Sequence, residues 1–259
     1  MLRRLSFLRW LAAVWLLLAA SLAHSDLADV IARIKPSVVI VGTHRSTDSP
    51  RFRLRGTGFV VGNGNLVVTN AHVLPDAVEN QDGMSLVVQV RSSNQELSMR
   101  QATVLEVDRV HDLAVLRIEG QPVAAVALRN SDTVREGQAI AFMGFPIGGT
   151  LGFSPVTHRG MVSSITPAVL PAPTSRQLTE AAIRGARGGA FDIFQLDATA
   201  YPGNSGGPLF DAASGEVIGV VNMVLLKNTR ESALSQPSGI SYAIPSRFVI
   251  QLLERAATK

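Results

Sequence analysis

The residues best suited to chemistry surround Ser205, in the run YPGNSGGP at positions 201–208. A serine hydroxyl attacks a carbonyl carbon well when it projects from a tight turn and a neighbouring base accepts its proton. Glycines permit such a turn, and they leave room for the backbone N–H groups of Gly203 and Ser205 to point at a developing oxyanion. A glycine-rich serine turn is by itself more often only a turn. The hypothesis of a nucleophile therefore requires a base and a carboxylate elsewhere.

Candidates for both partners lie at the ends of predicted strands. His72 follows the strand-like run at 66–69, and Asp112 directly precedes the apolar run LAVL at 113–116. Either residue alone is most simply structural. Together with Ser205 they occur in the order His, Asp, Ser, separated by 40 and 93 residues, as in the chymotrypsin-type triad. This order predicts that Ser205 is the nucleophile, His72 the general base and Asp112 the group that orients His72.

The first 23 residues have the features of a secretory signal peptide, because three arginines precede an apolar run that ends in Ser21-Leu22-Ala23. The alternative is an uncleaved membrane anchor, which implies membrane association. Removing these residues lowers the formal charge from +4 to about +1, which gives no reason to propose a nucleic-acid partner. The absence of cysteine excludes disulfides and a thiol nucleophile. We therefore expect a periplasmic or secreted protein of the bacterial envelope.

The rest of the chain is predicted to form mainly short strands that are rich in β-branched residues and separated by turn residues. Twelve segments are predicted, six before and six after a turn-rich connection at 119–138: 38–41, 58–61, 66–69, 86–90, 102–107, 113–118, 139–143, 156–165, 191–196, 208–210, 217–223 and 239–244. Two such series favour an all-β fold of two antiparallel six-stranded β-barrels over a parallel α/β sheet. The predicted domain is 24–259, with one barrel at 24–120 and the other at 121–259.

Two helices and one long loop complete this prediction. Asp26 is a plausible N-cap for a short helix that Pro36 stops, and Pro245 and Ser246 open a C-terminal helix with one apolar face. The segment 167–189 is predicted to be a long loop between strands of the second barrel, with either a functional role or a purely connecting one.

Five stretches in consistent order resemble the HtrA (Deg) family of trypsin-like serine proteases: TNAH at 69–72, HDLAVL at 111–116, GFP at 144–146, GNSGGPL at 203–209 and YAIPS at 242–246. The resemblance runs from about Val38 to the terminal helix. It implies a double-barrel serine endopeptidase that needs no cofactor and acts on protein or peptide substrates in quality control or processing. Such substrates would be unfolded or extended segments.

Two departures limit what the resemblance implies. Family members usually carry a PDZ domain after the helix that closes this chain, and the segment 46–55 is short where some relatives have a regulatory loop. The resemblance therefore does not predict the oligomeric state of this protein. The other histidines show no metal-ligand spacing, so we expect no metal site.

The substrate pocket is expected in three segments, by comparison with the trypsin-like arrangement. Its base is predicted at Thr199, six residues before Ser205, and its remaining residues are Ala200, Val221, Asn222, Met223, Gly239, Ile240 and Ser241. None of these carries a charge, so cleavage is expected after small or medium uncharged side chains rather than after Lys, Arg or Glu. Two other functions remain open: a protease-fold binding protein without turnover, and an esterase of narrow range.

Overall fold

The computed structural model describes residues 26–75, 83–91, 96–146, 153–168, 191–223 and 240–258. The predicted signal peptide, almost all of the predicted loop 167–189, and Gly239 lie outside these residues. Within them, no helix is long and apolar enough to cross a membrane.

Twelve strands form two closed barrels, as predicted. The first barrel contains β1 (Val38–His44), β2 (Phe52–Val61), β3 (Leu66–Asn70), β4 (Ser85–Arg91), β5 (Leu97–Asp108) and β6 (Leu113–Ile118). The second contains β7 (Ala139–Gly144), β8 (Val156–Ala168), β9 (Phe191–Asp197), β10 (Pro208–Asp211), β11 (Val217–Asn222) and β12 (Ile240–Pro245). The strand orders are β1-β2-β3-β6-β5-β4 and β10-β11-β12-β9-β8-β7, with antiparallel neighbours throughout.

β2 and β5 extend well beyond the predicted segments. More than half of their additional residues are polar, and all of them except Gly56 and Thr57 are at least partly exposed, so they lack the apolar run from which strands were predicted. They are strands because a neighbouring strand pairs with them, as Gly42 pairs with Leu54 and Gln89 with Met99. Pairing partners distant in sequence therefore decided the lengths of these strands.

Two helices flank the barrels. Helix α1 (Leu27–Ile34) begins where the Asp26 carboxylate accepts a hydrogen bond from the amide of Ala28 at 3.2 Å, as expected of an N-cap. Helix α2 (Ser246–Ala257) packs Phe248, Val249 and Leu252 into an apolar cluster that contains residues of both barrels. Each barrel has a further apolar cluster of its own.

The connection between the barrels runs along both of them. The amide of Val126 donates to the carbonyl of Val60 in β2 at 2.9 Å, and the amide of Val217 in β11 donates to the carbonyl of Ala127 at 2.9 Å. One segment therefore binds a strand of each barrel. This contact and the shared apolar cluster place the ends of β3, β6 and β11 beside one another.

Candidate active site

His72 lies in a single 3-10 turn, Ala71–Val73, directly after β3. The amide of Ala71 and the side-chain amide of Asn70 both donate to the backbone carbonyl of Asp112, at 3.0 and 2.9 Å. The turn that carries His72 is therefore bound to the backbone of the turn that carries Asp112.

Asp112 precedes β6 with a positive φ of 53°, a conformation that aspartate tolerates better than most residues. Its Oδ1 accepts from the backbone amide of His72 at 2.8 Å, and its Oδ2 lies 2.5 Å from His72 Nδ1. An ionised carboxylate only accepts hydrogen bonds, so the imidazole proton resides on Nδ1. Nε2 of the neutral ring is then the nitrogen able to accept a proton.

Asn222, the last residue of β11, provides the second barrel's contact with this pair. Its Nδ2 donates to Asp112 Oδ2 at 2.8 Å, and the residue is fully buried. Asn222 was predicted as a pocket residue, and the structure gives its side chain a further role, as a donor to Asp112. A single polar residue at the end of a fully buried apolar strand was the available signal, because a buried amide requires a partner.

The turn around Ser205 is closed by its own backbone. The amide of Asn204 donates to the carbonyl of Tyr201 at 3.0 Å, and the amide of Gly207 donates to the carbonyl of Asn204 at 2.9 Å. In a trans peptide the N–H points opposite to the C=O. The N–H of Ser205 is therefore directed away from Gly207, as a donor to an oxyanion outside the turn must be.

Gly206 explains why this turn fits against the first barrel. Its φ is 85°, and a side chain at this position would collide with the Thr57 carbonyl and with the Thr69 hydroxyl. Glycine is required here both for the backbone conformation and for the close approach.

Thr57 of β2 holds the same turn by two hydrogen bonds and also binds the backbone of Phe145. Its amide donates to the carbonyl of Ser205 at 2.8 Å, and its hydroxyl donates to the carbonyl of Gly203 at 2.7 Å while accepting from the amide of Phe145 at 3.1 Å. The sequence prediction did not include Thr57, although a threonine between Gly56 and Gly58 in an otherwise apolar strand end is a recognisable signal.

The hydroxyl of Ser205 has no hydrogen bond to any residue that the structure describes, including His72. Ser205 is 5% exposed, and its carbonyl is held beside Gly56, which in turn lies against Val73 next to His72. In unliganded enzymes the bond between nucleophile and base is often longer than in the substrate complex. The structure therefore brings the three predicted residues to one junction of the barrels, with the His72–Asp112 contact formed.

The predicted pocket residues divide into two groups. Val221 and Ser241 are fully buried, and the Ser241 hydroxyl accepts from the amide of Ala200 and donates to the carbonyl of Ala198, both at 2.7 Å. Ser241 therefore braces the backbone beside Thr199 rather than offering its hydroxyl to a ligand. Thr199 is half-buried, and Ala200 and Met223 are each 7% exposed. The side chain of Ile240 lies outside the described residues.

No three His, Cys, Asp or Glu side chains are grouped to hold a metal ion within the described ranges.

Comparison with known proteins agrees with this geometry. Residues 56–220, which include all three candidate catalytic residues, match the trypsin-like peptidase domain. The mitochondrial serine protease HTRA2 of Drosophila erecta and that of Drosophila virilis are each 33% identical over 239 residues, covering 90% of this chain and 48% of each relative. The chain thus spans about half the length of these curated relatives.

Solved structures show the same fold. Deg5 superposes with a TM-score of 0.62 at 25% identity, covering 86% of this chain and 90% of that one. The HtrA-type protease AlgW with a tripeptide superposes with a TM-score of 0.60 at 24% identity, covering 89% of this chain and 63% of that one. On the matched domain, the curated relatives and the shared fold, the chain belongs to the trypsin-like peptidase family and contains an HtrA-like protease domain.

Proposed function

We propose that the protein is a serine endopeptidase. The observation that carries this proposal is the contact between Asp112 and His72, which keeps the imidazole proton on Nδ1 and leaves Nε2 as the base. The domain match to trypsin-like peptidases supports the same conclusion.

Hydrolysis proceeds through an acyl-enzyme. Ser205 Oγ forms a bond to the scissile carbonyl carbon while its proton passes to His72 Nε2, and the carbonyl oxygen becomes an oxyanion held by the amides of Gly203 and Ser205. His72 then donates the proton to the leaving amine nitrogen as the C–N bond breaks. Water, deprotonated by His72, attacks the ester and releases Ser205 with its hydroxyl proton restored.

Asp112 remains ionised throughout these reaction steps. Its carboxylate stabilises the imidazolium that forms when His72 accepts the Ser205 proton. The donor contact from Asn222 keeps Oδ2 in line with His72 Nδ1.

The substrates in this proposal are extended or unfolded protein segments, and the context is quality control or processing in the cell envelope. Residues 1–23 serve as the export signal, and residues 24–259 form the protease domain, with its barrels at 24–120 and 121–259. Cleavage follows small or medium uncharged residues, since Thr199, Ala200 and Met223 provide no charge to neutralise a buried Lys, Arg or Glu. Sequencing of the cleavage sites in a denatured model protein tests this specificity, and a majority after charged residues would contradict it.

The central experiment compares the mature protein with Ser205→Ala. We expect a fluorophosphonate probe to label the wild-type protein at Ser205, and casein hydrolysis to fall by several orders of magnitude in the variant. Thermal unfolding of both proteins controls for loss of fold. Hydrolysis that survives in Ser205→Ala would overturn the assignment. Labelling without peptide cleavage would indicate an esterase, and neither activity would indicate a binding protein.

A further inference from the structure

Asn204, the residue before the proposed nucleophile, is fully buried with half of its side-chain amide partnered. Its Nδ2 lies 3.4 Å from Nε2 of His158. Its Oδ1 is buried against Gly144, without a hydrogen-bond partner among the residues that the structure describes. The contact with His158 is therefore the polar contact that anchors this side chain.

His158 is placed for this contact by the second barrel. It lies on β8 directly opposite Phe142 of β7, and the two rings stack with centroids 4.7 Å apart and planes 18° apart. Tyr201 lies on another side, with ring centroids 6.1 Å apart. Burial lowers the pKa of His158 below its ordinary value. The imidazole is therefore neutral near pH 7, and its unprotonated Nε2 accepts a hydrogen bond from Asn204.

This contact affects Ser205 because Asn204 links two successive peptide groups of the nucleophile turn. Its Cα lies between the carbonyl of Gly203 and the amide of Ser205. The glycines on either side of the pair Asn204–Ser205 have φ values of 103° and 85°, and glycine has wide conformational freedom. A side chain anchored between two such residues restricts both peptide planes.

We propose that His158 is a positioning residue for the nucleophile turn, acting through the buried amide of Asn204 to hold the Ser205 N–H and hydroxyl in the reactive orientation. The inference rests on the proposed function, since the orientation matters for acyl transfer. In this arrangement a neutral imidazole–amide pair fixes the turn, which contains no charged residue between Tyr201 and Pro208.

The first test separates the hydrogen bond from ring packing. His158→Phe keeps a ring for the stack on Phe142 but offers no acceptor, and we expect kcat to fall by about 10-fold to 100-fold with KM nearly unchanged, as for a misaligned reacting group. His158→Gln supplies an uncharged acceptor at similar reach and should recover most of that loss. His44→Phe, a matched replacement on β1, should leave kcat unchanged.

The outcomes separate the two proposals. A His158→Phe protein with wild-type kcat, or a His158→Gln protein as impaired as His158→Phe, would overturn the positioning role. A wild-type protein without turnover would instead contradict the proposed function.

The second test does not depend on turnover, and it does not require the His158→Phe protein to fold. Proton NMR titration of His158, assigned with His158→Gln, should give a wild-type pKa below about 6.5. Asn204→Asp should raise it, because a carboxylate favours the imidazolium form. Tyr201 is the other ionisable ring beside His158 in the described residues, and Tyr201→Phe should leave this titration unchanged. An unchanged His158 pKa in Asn204→Asp would show that the two side chains do not touch.

Discussion

The turn that carries Asp112 and the turn that carries Ser205 are held by different kinds of contact. Before Asp112, the carboxylate of Asp108 accepts from the amides of Val110 and His111 at 3.1 Å each, from the His111 ring at 2.9 Å and from Arg255 at 2.7 Å. Burial by itself raises the pKa of Asp108, but these donors hold it well below its ordinary value. Charge-assisted hydrogen bonds, which are the stronger kind, therefore fix this turn.

The same turn is tied to the C-terminal helix. The His111 ring stacks on Phe248 at a centroid distance of 3.8 Å and meets the edge of Phe191 at 4.6 Å. Arg255, two turns further along the helix, reaches Asp108. Helix α2 thus supports the segment that holds Asp112 in its left-handed conformation.

Neutral groups hold the Ser205 turn, through backbone hydrogen bonds, Thr57 and the amide of Asn204. In the proposed mechanism, a carboxylate in this turn would repel the oxyanion that forms beside Ser205. A carboxylate near His72, by contrast, stabilises the imidazolium. Each turn is therefore fixed by groups whose charge suits the charge that the proposed mechanism develops next to it.

The largest effect on turnover is expected of Asp112→Asn, which keeps the shape of the side chain and tolerates the positive φ. Three donors face the carboxylate, from the His72 amide, the His72 ring and Asn222. An amide has one acceptor oxygen, so at least one donor must face its NH2 group. We expect kcat to fall by about 10⁴-fold through loss of the correct imidazole tautomer, measured with a peptide substrate. A loss below tenfold would show that Asp112 does not orient His72.

A smaller effect is expected of Asn222→Leu, which removes a donor to the Asp112 charge at nearly constant volume. A hydrogen bond to a charged group contributes about 1.5–3 kcal/mol, so kcat should fall by roughly 10-fold to 100-fold, with KM little changed. Asn65→Leu is the matched control, because Asn65 binds the carbonyls of Ile118 and Gly120 away from the triad. Asn65→Leu should lower stability without changing kcat. An equal loss of kcat in both variants would contradict the role assigned to Asn222.

The smallest expected effect on turnover is that of Asp108→Asn, whose main consequence is a change in stability with pH. A carboxyl with a lowered pKa stabilises the folded state above its unfolded pKa of about 3.9, and that stabilisation is lost as the pH falls towards the folded value. The variant should therefore be less stable than wild type at pH 7, with the difference shrinking below about pH 4. Urea unfolding across this range measures it.

Asp211→Asn is the control on the second barrel. Burial raises the pKa of Asp211, but the amides of Ser214 and Ala213, the side chain of Gln138 and the charge of Arg129 lower it overall. Its variant should show the same pH dependence of stability with unchanged kcat, whereas Asp108→Asn should also lower kcat severalfold because its turn positions Asp112. Equal kcat values in the two variants would show that the Asp108 contacts only stabilise the fold.

The sequence predicted two antiparallel barrels of six strands each and named the three residues that the structure brings to the barrel junction. Apolar runs such as 113–116 and glycine-rich turns such as 203–207 are local signals, and each predicts its element without knowledge of a distant partner. The same is true of Asp26, whose N-cap contact spans two residues.

The polar contacts at the site, both across the junction and within the second barrel, join residues that are far apart in the sequence. Asn222 reaches Asp112 over 110 positions, Thr57 reaches Gly203 over 146, and Asn204 meets His158 over 46. A buried amide or hydroxyl requires a partner, but the sequence does not specify which one, because the choice depends on how each barrel closes and on how the two barrels approach each other. The sequence accordingly placed Asn222 among the pocket residues without revealing that its side chain binds Asp112.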